Sequence, residues 1–410
     1  MRDQPPVVLL GARVVSEDRT YPEGFVRIAD GRIVEVGPAD TCGDTEGCEV
    51  VRLSEEYVIV PGMVDVHIHG AEDADTMDAE PEALETIAGA LAREGTTSFL
   101  ATTITQSPEA IEAALINAAR YIESGQSPGR SECLGIHLEG PFISPKRAGA
   151  QPLQYIMEPN LEQFKKWQQQ AGGWIKLVTL APEEPGGMEL VEYLRDTDVI
   201  PSVGHSDATY HTVDQAIKAG CSHVTHLFNG MRGLHHREPG VAGAAFLRKE
   251  LQVEVIADGI HICPEMLKLA YQQIQSDRLL LITDSMRAKC LQEGVYDLGG
   301  QRVQVNGEEA RLSDGTLAGS ILRMADAFQR MYGIAGGSLE NLVRMSSMNA
   351  ASELRVSDRK GSIREGKDAD VVVLDKQLEV AMTYCRGVLA YRRKSAYSKK
   401  EVTDADPTSP

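Results

Sequence analysis

Residues 64–70 read VDVHIHG, and they place two of the chain's ten histidines one residue apart on an apolar, β-branched run. In a strand, positions i and i+2 point to the same face, so His67 and His69 project side by side and could hold a metal ion together. Other residues of metal-binding or acid/base type end other apolar runs: Glu139 in CLGIHLEGP, His205 in VIPSVGHS, His226 and Asn229 in CSHVTHLFNG, Asp258 and His261 in LQVEVIADGIH, and Asp284 in RLLLITDS. Imidazole and carboxylate donors in one cavity suit zinc, iron, manganese or cobalt without selecting one. A divalent ion there acidifies water and polarises a carbonyl, and Asp284 is then placed to act as general base. Each residue also has a plainer reading: Glu139 as the cap of a turn before Gly-Pro, Asp284 as the cap of a following helix, each histidine as a hydrogen-bonded strand end. His137 lies deeper on the Glu139 face and reads as core. His211 starts a helix, His223 has the wrong parity with His226 for an obvious ligand, and His235 and His236 sit in a solvated loop.

These residues need elements that bring them to one rim. Besides the runs above, YVIVPGMVDVHIHG, TTSFLATTIT and WIKLVTLAPE read as strands, giving eight in all. Amphipathic segments such as EPEALETIAGALAREG, SPEAIEAALINAARYI, GMELVEYLRDT, HTVDQAIKAG and PEMLKLAYQQIQ separate most of them. Eight strands interleaved with helices predict an α/β protein with a (β/α)8 TIM-like barrel, whose active site lies at the C-terminal ends of the strands. An open doubly wound sheet is the alternative. Short β-rich runs at both chain ends, including a hairpin in ADGRIVEVG and the segment GSIREGKDADVVVLDK, predict one small β-sandwich domain shared between them. The expected division is 1–61 and 361–398 for that domain, 62–360 for the catalytic barrel, and 399–410 for a disordered polar tail.

Composition narrows the partners. The 41 Lys and Arg against 60 Asp and Glu give a net charge of −19, which speaks against nucleic acid and anionic membrane surfaces. A small anionic substrate would need a local cationic pocket. The seven cysteines (42, 48, 133, 221, 263, 290 and 385) are scattered without a C-x-x-C, as expected of free thiols in a reducing compartment, although Cys42 and Cys48 could form a metal clip. The opening MRDQPPVVLLGARVV lacks the features of a signal peptide, and no apolar run is long enough to span a membrane, so a cytoplasmic location is expected.

HxH on the first strand, single histidines after strands five and six, and an Asp after strand eight resemble the amidohydrolase superfamily. Within it, HLEGPF (137–142), GHSDA (204–208), THLFNGM (225–231), REPG (237–240), IADGIH (256–261) and ITDS (282–285) resemble the N-acetylglucosamine-6-phosphate deacetylases. The resemblance implies hydrolysis of the acetamide of N-acetyl-D-glucosamine 6-phosphate, with one or two divalent ions per chain, zinc or iron foremost. Glu139, His205 and His226 would hold the primary ion, and His67 and His69 a second one bridged by Glu139. Asp284 would be the catalytic base and acid. Asn229, Gly230, Arg237 and His261 match positions that bind the sugar phosphate, the Arg reaching across from the partner of a homodimer. Gly149, Ala150 and Gln151 of RAGAQP, and Leu317, Ala318 and Gly319 of the covering segment TLAGS, would complete the substrate site. Gln151 stands where some members carry a histidine that assists the acetyl group; an amide donates a hydrogen bond but carries no charge, so a second ion would take over that polarisation. Some members have lost the HxH pair, and this chain keeps it. The alternatives are a barrel amidohydrolase acting on cyclic amides, which requires a carboxylated Lys ending strand four that TLAPE lacks, an enzyme for the galacto epimer, or a non-catalytic scaffold, which would be expected to have lost ligands.

Overall fold

A computed structural model of the chain describes residues 5–394. The tail expected to be disordered, 399–410, lies outside the described residues. Eight parallel strands run in sequence order around one sheet: Met63–Ile68, Thr96–Thr103, Glu132–Glu139, Ile175–Leu180, Ile200–Val203, His223–Val224, Gln252–Ile256 and Leu279–Ile282. Both faces are covered, by helices outside and by packed side chains inside, which explains why runs such as LLLI are apolar at consecutive positions and buried throughout. The last strand meets the first where the Asp284 amide donates to the His67 carbonyl (2.8 Å) and the Thr283 hydroxyl to Asp65 (2.6 Å). The sheet is a closed barrel rather than an open doubly wound one.

The connecting helices follow from their sequences. Ser107 accepts from the Ala110 amide at the start of Pro108–Glu123, and Thr209 from the Thr212 amide at the start of Tyr210–Ala219. The first of these buries Ile111, Ala114, Leu115 and Ala118, the three- and four-residue spacing of one helix face.

The two chain ends form a pair of packed sheets. One holds Val7–Leu10, Gly24–Ala29, Arg32–Pro38 and Glu49–Arg52; the other holds Arg13–Val15, Thr20–Tyr21, Val58–Pro61, Val371–Leu374, Val380–Cys385 and Val388–Arg392. Leu9, Val26 and Ile28 from the first meet Val14, Ile59, Val371 and Val373 from the second in one apolar core. The hairpin in ADGRIVEVG turns at Asp30–Gly31, both at positive φ (50° and 78°), as a tight two-residue hairpin requires.

Two features differ from the sequence expectation. The run 57–70 is not one strand: Val58–Pro61 pairs in the end-domain sheet and Met63–Ile68 in the barrel, with the break at Gly62. A three-stranded antiparallel sheet, Gly294–Leu298, Gln301–Asn306 and Glu309–Arg311, was not foreseen. Its signal was the Gly299–Gly300 pair between two alternating runs, both residues at positive φ. No helix among the described residues is long and apolar enough to cross a membrane.

Candidate active site and metal centre

His67 and His69 project from the end of the first barrel strand, and Glu139 ends the third. His205 and His226 follow the fifth and sixth strands at positive φ (45° and 29°), a sparsely populated backbone conformation that aims both rings inward. Their Nε2 atoms lie 3.1 Å apart, and each lies 3.1 Å from Glu139 Oε1. His67 Nε2 stands 3.4 Å from Glu139 Oε1, and His69 Nε2 3.3 Å from Glu139 Oε2. Two groups of three donors result, Glu139–His205–His226 and His67–His69–Glu139, all buried and sharing the one carboxylate.

The protons decide whether these groups fit a cation. His205 Nδ1 faces the Arg147 carbonyl at 2.9 Å; a carbonyl only accepts, so Nδ1 carries the hydrogen and a neutral ring turns a bare lone pair at Nε2 toward Glu139. His67 Nδ1 faces the Glu254 carboxylate at 3.0 Å, and its buried Nε2 has no hydrogen-bond partner. The Nε2 atoms of His205 and His67 therefore both face the Glu139 carboxylate, in a pocket that attracts positive charge. Ligand atoms about 2.0–2.1 Å from a tetrahedral ion are separated by about 3.3 Å, close to the spacings seen. The residues present fit a divalent ion. The local field points the same way: burial lowers the His69 pKa, yet Asp284 and Glu139 outweigh it and raise it to about 10.

Asp284 Oδ1 lies 3.1 Å from His69 Nε2 and 3.4 Å from His67 Nε2. Burial raises its pKa, but the His67 and His69 rings beside it prevail and hold the carboxyl below its ordinary range. The helix-cap reading of Asp284 is overturned, because the next helix after it begins only at Met324. His69, Glu139, His205, His226 and Asp284 border a cavity of about 330 Å³, while His67 lies buried beneath it. Gly149, Ala150, Gln151, Asn229, Gly230, His261, Leu317 and Gly319 also line it. Ala318 is buried behind that wall.

A profile of the amidohydrolase family matches residues 58–390. The chain is 48% identical over 387 residues to the N-acetylglucosamine-6-phosphate deacetylase of Bacillus subtilis, an alignment covering 93% of this chain and 96% of the relative. It is 35% identical to an Escherichia coli N-acetylgalactosamine-6-phosphate deacetylase, over 93% of this chain and 99% of that one. A mutant N-acetyl-D-glucosamine-6-phosphate deacetylase from Mycobacterium smegmatis, solved in complex with N-acetyl-D-glucosamine-6-phosphate, superposes with a TM-score of 0.88 at 30% identity, covering 94% of this chain and 100% of that chain.

The chain belongs to the amidohydrolase family.

The lysine that bridges ions in cyclic-amide amidohydrolases has no counterpart here. Lys176 lies near the start of its strand and donates to the Gly173 carbonyl on the outside. Other residues singled out in the sequence have defined surroundings. Gln151 donates to Glu139 Oε2 (2.8 Å) and accepts from the Thr105 amide (2.9 Å), so its amide is engaged with the shared carboxylate. Arg237 is exposed, bonded to His236, and does not line the cavity of its own chain. Thr316 of the covering segment TLAGS lines the cavity as well, and Arg311, Ile104 and Leu298 line it without having been foreseen; Arg311 and Leu298 belong to the three-stranded sheet. Asp258 reaches His261 Nδ1 at 2.6 Å and fixes that ring. His137 is core, 2.7 Å from the Thr179 hydroxyl, with burial pushing its pKa well below the usual value. All seven cysteines are free, and the Arg27 guanidinium rests against both Cys42 and Cys48, where it would repel a bound cation.

Proposed function

We propose that the chain hydrolyses the acetamide of N-acetyl-D-glucosamine 6-phosphate, releasing acetate and glucosamine 6-phosphate. The observation that carries this reading is the Asp284 carboxyl, within 3.4 Å of His67 and 3.1 Å of His69, beside two donor groups that could hold a cation, in a chain so similar to deacetylases of this substrate. A bound divalent ion, zinc or iron foremost, supplies an acidified water and a polarised carbonyl. Glu139, His205 and His226 hold the first ion, and His67, His69 and Glu139 a second. Asp284 takes a proton from the attacking water and returns it to the sugar nitrogen, which leaves badly as an anion. Gln151 holds Glu139 in register. Gly149, Ala150, Leu317, Ala318 and Gly319 enclose the sugar. Asn229, Gly230 and His261 receive the phosphate, together with Arg237 of a second subunit in a homodimer; the exposure of Arg237 outside its own cavity favours that arrangement. A cytosolic location fits the free thiols and the phosphosugar substrate.

The test is a substrate panel on the metal-replete protein, measuring acetate and free amine from N-acetylglucosamine 6-phosphate, its galacto epimer and unphosphorylated N-acetylglucosamine. The gluco 6-phosphate should have the highest kcat/KM. Preference for the galacto epimer would support the second reading, which the Escherichia coli relative favours, and an absence of hydrolysis would overturn both.

A further inference from the structure

The proposed reaction leaves the buried carboxylate of Glu254 without a task. Glu254, on the seventh barrel strand, has no exposure to solvent and lies beneath the cavity floor. Its Oε2 accepts from His67 Nδ1 (3.0 Å) and from the His226 backbone amide (3.1 Å), and its Oε1 accepts from His223 Nε2 (2.9 Å). The far side of His223 is engaged too: its Nδ1 lies 2.8 Å from Glu353 Oε1.

The proton positions follow from these partners. An ionised carboxylate only accepts hydrogen bonds, so His67 keeps a hydrogen on Nδ1, and Nε2 is the nitrogen left to ligate an ion. That Nε2 is the atom turned toward Glu139 and Asp284, 3.4 Å from each. His223 has a carboxylate against each ring nitrogen and donates to both. Its positive charge offsets Glu254, which would otherwise be a buried and poorly compensated anion. The spacing that ruled His223 out as a ligand thus places it one layer below the ligands.

We infer that Glu254 is a positioning residue that fixes the ring orientation and tautomer of His67 for the second ion, and that His223 and Glu353 brace Glu254 for this task. The inference rests on the metal-dependent reading above. Carboxylates placed behind ligand histidines set ring orientation and raise ligand basicity, and losing one typically weakens metal binding about 10–100-fold. Glu254 also spans both donor groups, because the oxygen that holds the His67 ring holds the backbone of His226. A purely structural ion network would stabilise the fold without any such preference for one ion.

The experiment titrates the metal-free full chain with Co²⁺ alone, reading visible absorbance and ion stoichiometry, in four proteins: wild type, Glu254→Gln, His67→Ala and the double variant. Gln keeps the shape of Glu254 and one acceptor oxygen but removes the charge. Glu254→Gln should weaken the second ion about 10–100-fold, alter its absorption band, and leave the first ion within a few-fold. In the His67→Ala background the same change should do nothing further to the second ion, since the group it acts through is gone. Wild-type affinity for the second ion in Glu254→Gln, an equal loss with and without His67, or a wild type that binds one ion only would each overturn the inference. Should Glu254→Gln fail to fold, Glu353→Gln loosens the same brace from its outer end and should weaken the second ion several-fold; no change would overturn it. The probe is the ion, so a chain that behaves as described yet hydrolyses no acetamidosugar leaves the inference standing and removes the proposed reaction.

Discussion

Asp284 combines two roles: its backbone amide helps close the barrel, and its carboxylate faces His67 and His69 at the site. Asn preserves the amide and the side-chain size but cannot accept a proton. Asp284→Asn should therefore lower kcat by about 10²–10⁴, the usual weight of a positioned acid/base group. KM, melting temperature and the ion held by Glu139, His205 and His226 should stay close to wild type. Near-normal kcat in the folded, metal-replete variant would sink the proposed chemistry. Residues of this kind were legible in the sequence because chemistry and position coincide there: a His, Glu or Asp ending an apolar run stands at a barrel rim wherever the run is a barrel strand. The second partner of each residue was not legible. That Gln151 spends its amide on Glu139, or that Glu254 reaches His67 across the barrel, depends on distances between strands that no spacing within one strand encodes.

At the scale of elements, the break at Gly62 lets a single apolar run serve two sheets. The Gly62 amide donates to the Asp370 carbonyl (2.9 Å), and its carbonyl accepts from the Ser347 hydroxyl (2.9 Å). A Cβ at this position would stand 2.0 Å from Thr97 Oγ1. Neither the second barrel strand nor the helix bearing Ser347 can yield cheaply, so Gly62→Ala should cost about 1–3 kcal/mol, the ordinary penalty for overpacking. The melting temperature should fall, and second-ion affinity with it, because His67 and His69 ride on the strand that Gly62 begins; an unchanged melting temperature would show that the junction has slack. The sequence revealed both halves of this run and hid their division, since P-G alone does not say which sheet each half joins. The three-stranded sheet escaped for a related reason: its strands alternate between exposed and buried positions over only three to six residues, a weak pattern beside the fully buried barrel strands.

At the scale of the molecule, a −19 protein must still receive a phosphate dianion, and the proposed answer is a cation lent by a second subunit. Removing a charge-assisted contact costs about 1.5–3 kcal/mol. Arg237→Ala should thus raise KM for the 6-phosphate about 10–100-fold and barely affect the unphosphorylated sugar. Mixed dimers of Arg237→Ala and Asp284→Asn chains should recover part of the activity, and a failure to do so in verified mixed dimers would place Arg237 within its own site. The chain ends are bound to the barrel by charge as well as by packing. Glu132, at the start of the third strand, meets Arg359 (2.9 Å) and Lys360 (2.6 Å), and Lys360 also reaches Asp370 (2.6 Å). Burial raises the Glu132 pKa, but these two cations outweigh it and lower it to about 2. A depressed carboxyl pKa contributes stability above its unfolded value, near 4.5, and loses that contribution as pH falls toward 2. Glu132→Gln should therefore be less stable than wild type at pH 7 and show a shallower loss of stability between pH 4.5 and 2; parallel curves would mean the cluster does not drive acid unfolding. The hydroxyl of Thr283 and the carboxylate of Asp65, which seal the barrel, are 218 residues apart in the chain. The donors on either side of that seam cannot meet until nearly the whole barrel has been made and has closed. No fragment and no early folding intermediate then offers the complete site, and an ion that requires it binds the finished molecule alone. Such a ligand stabilises by mass action, about 2.7 kcal/mol at a hundredfold excess over Kd. Stripping it with a chelator should lower the melting temperature of the whole chain, so the supply of a trace ion would govern how long each copy survives as well as how fast it turns over.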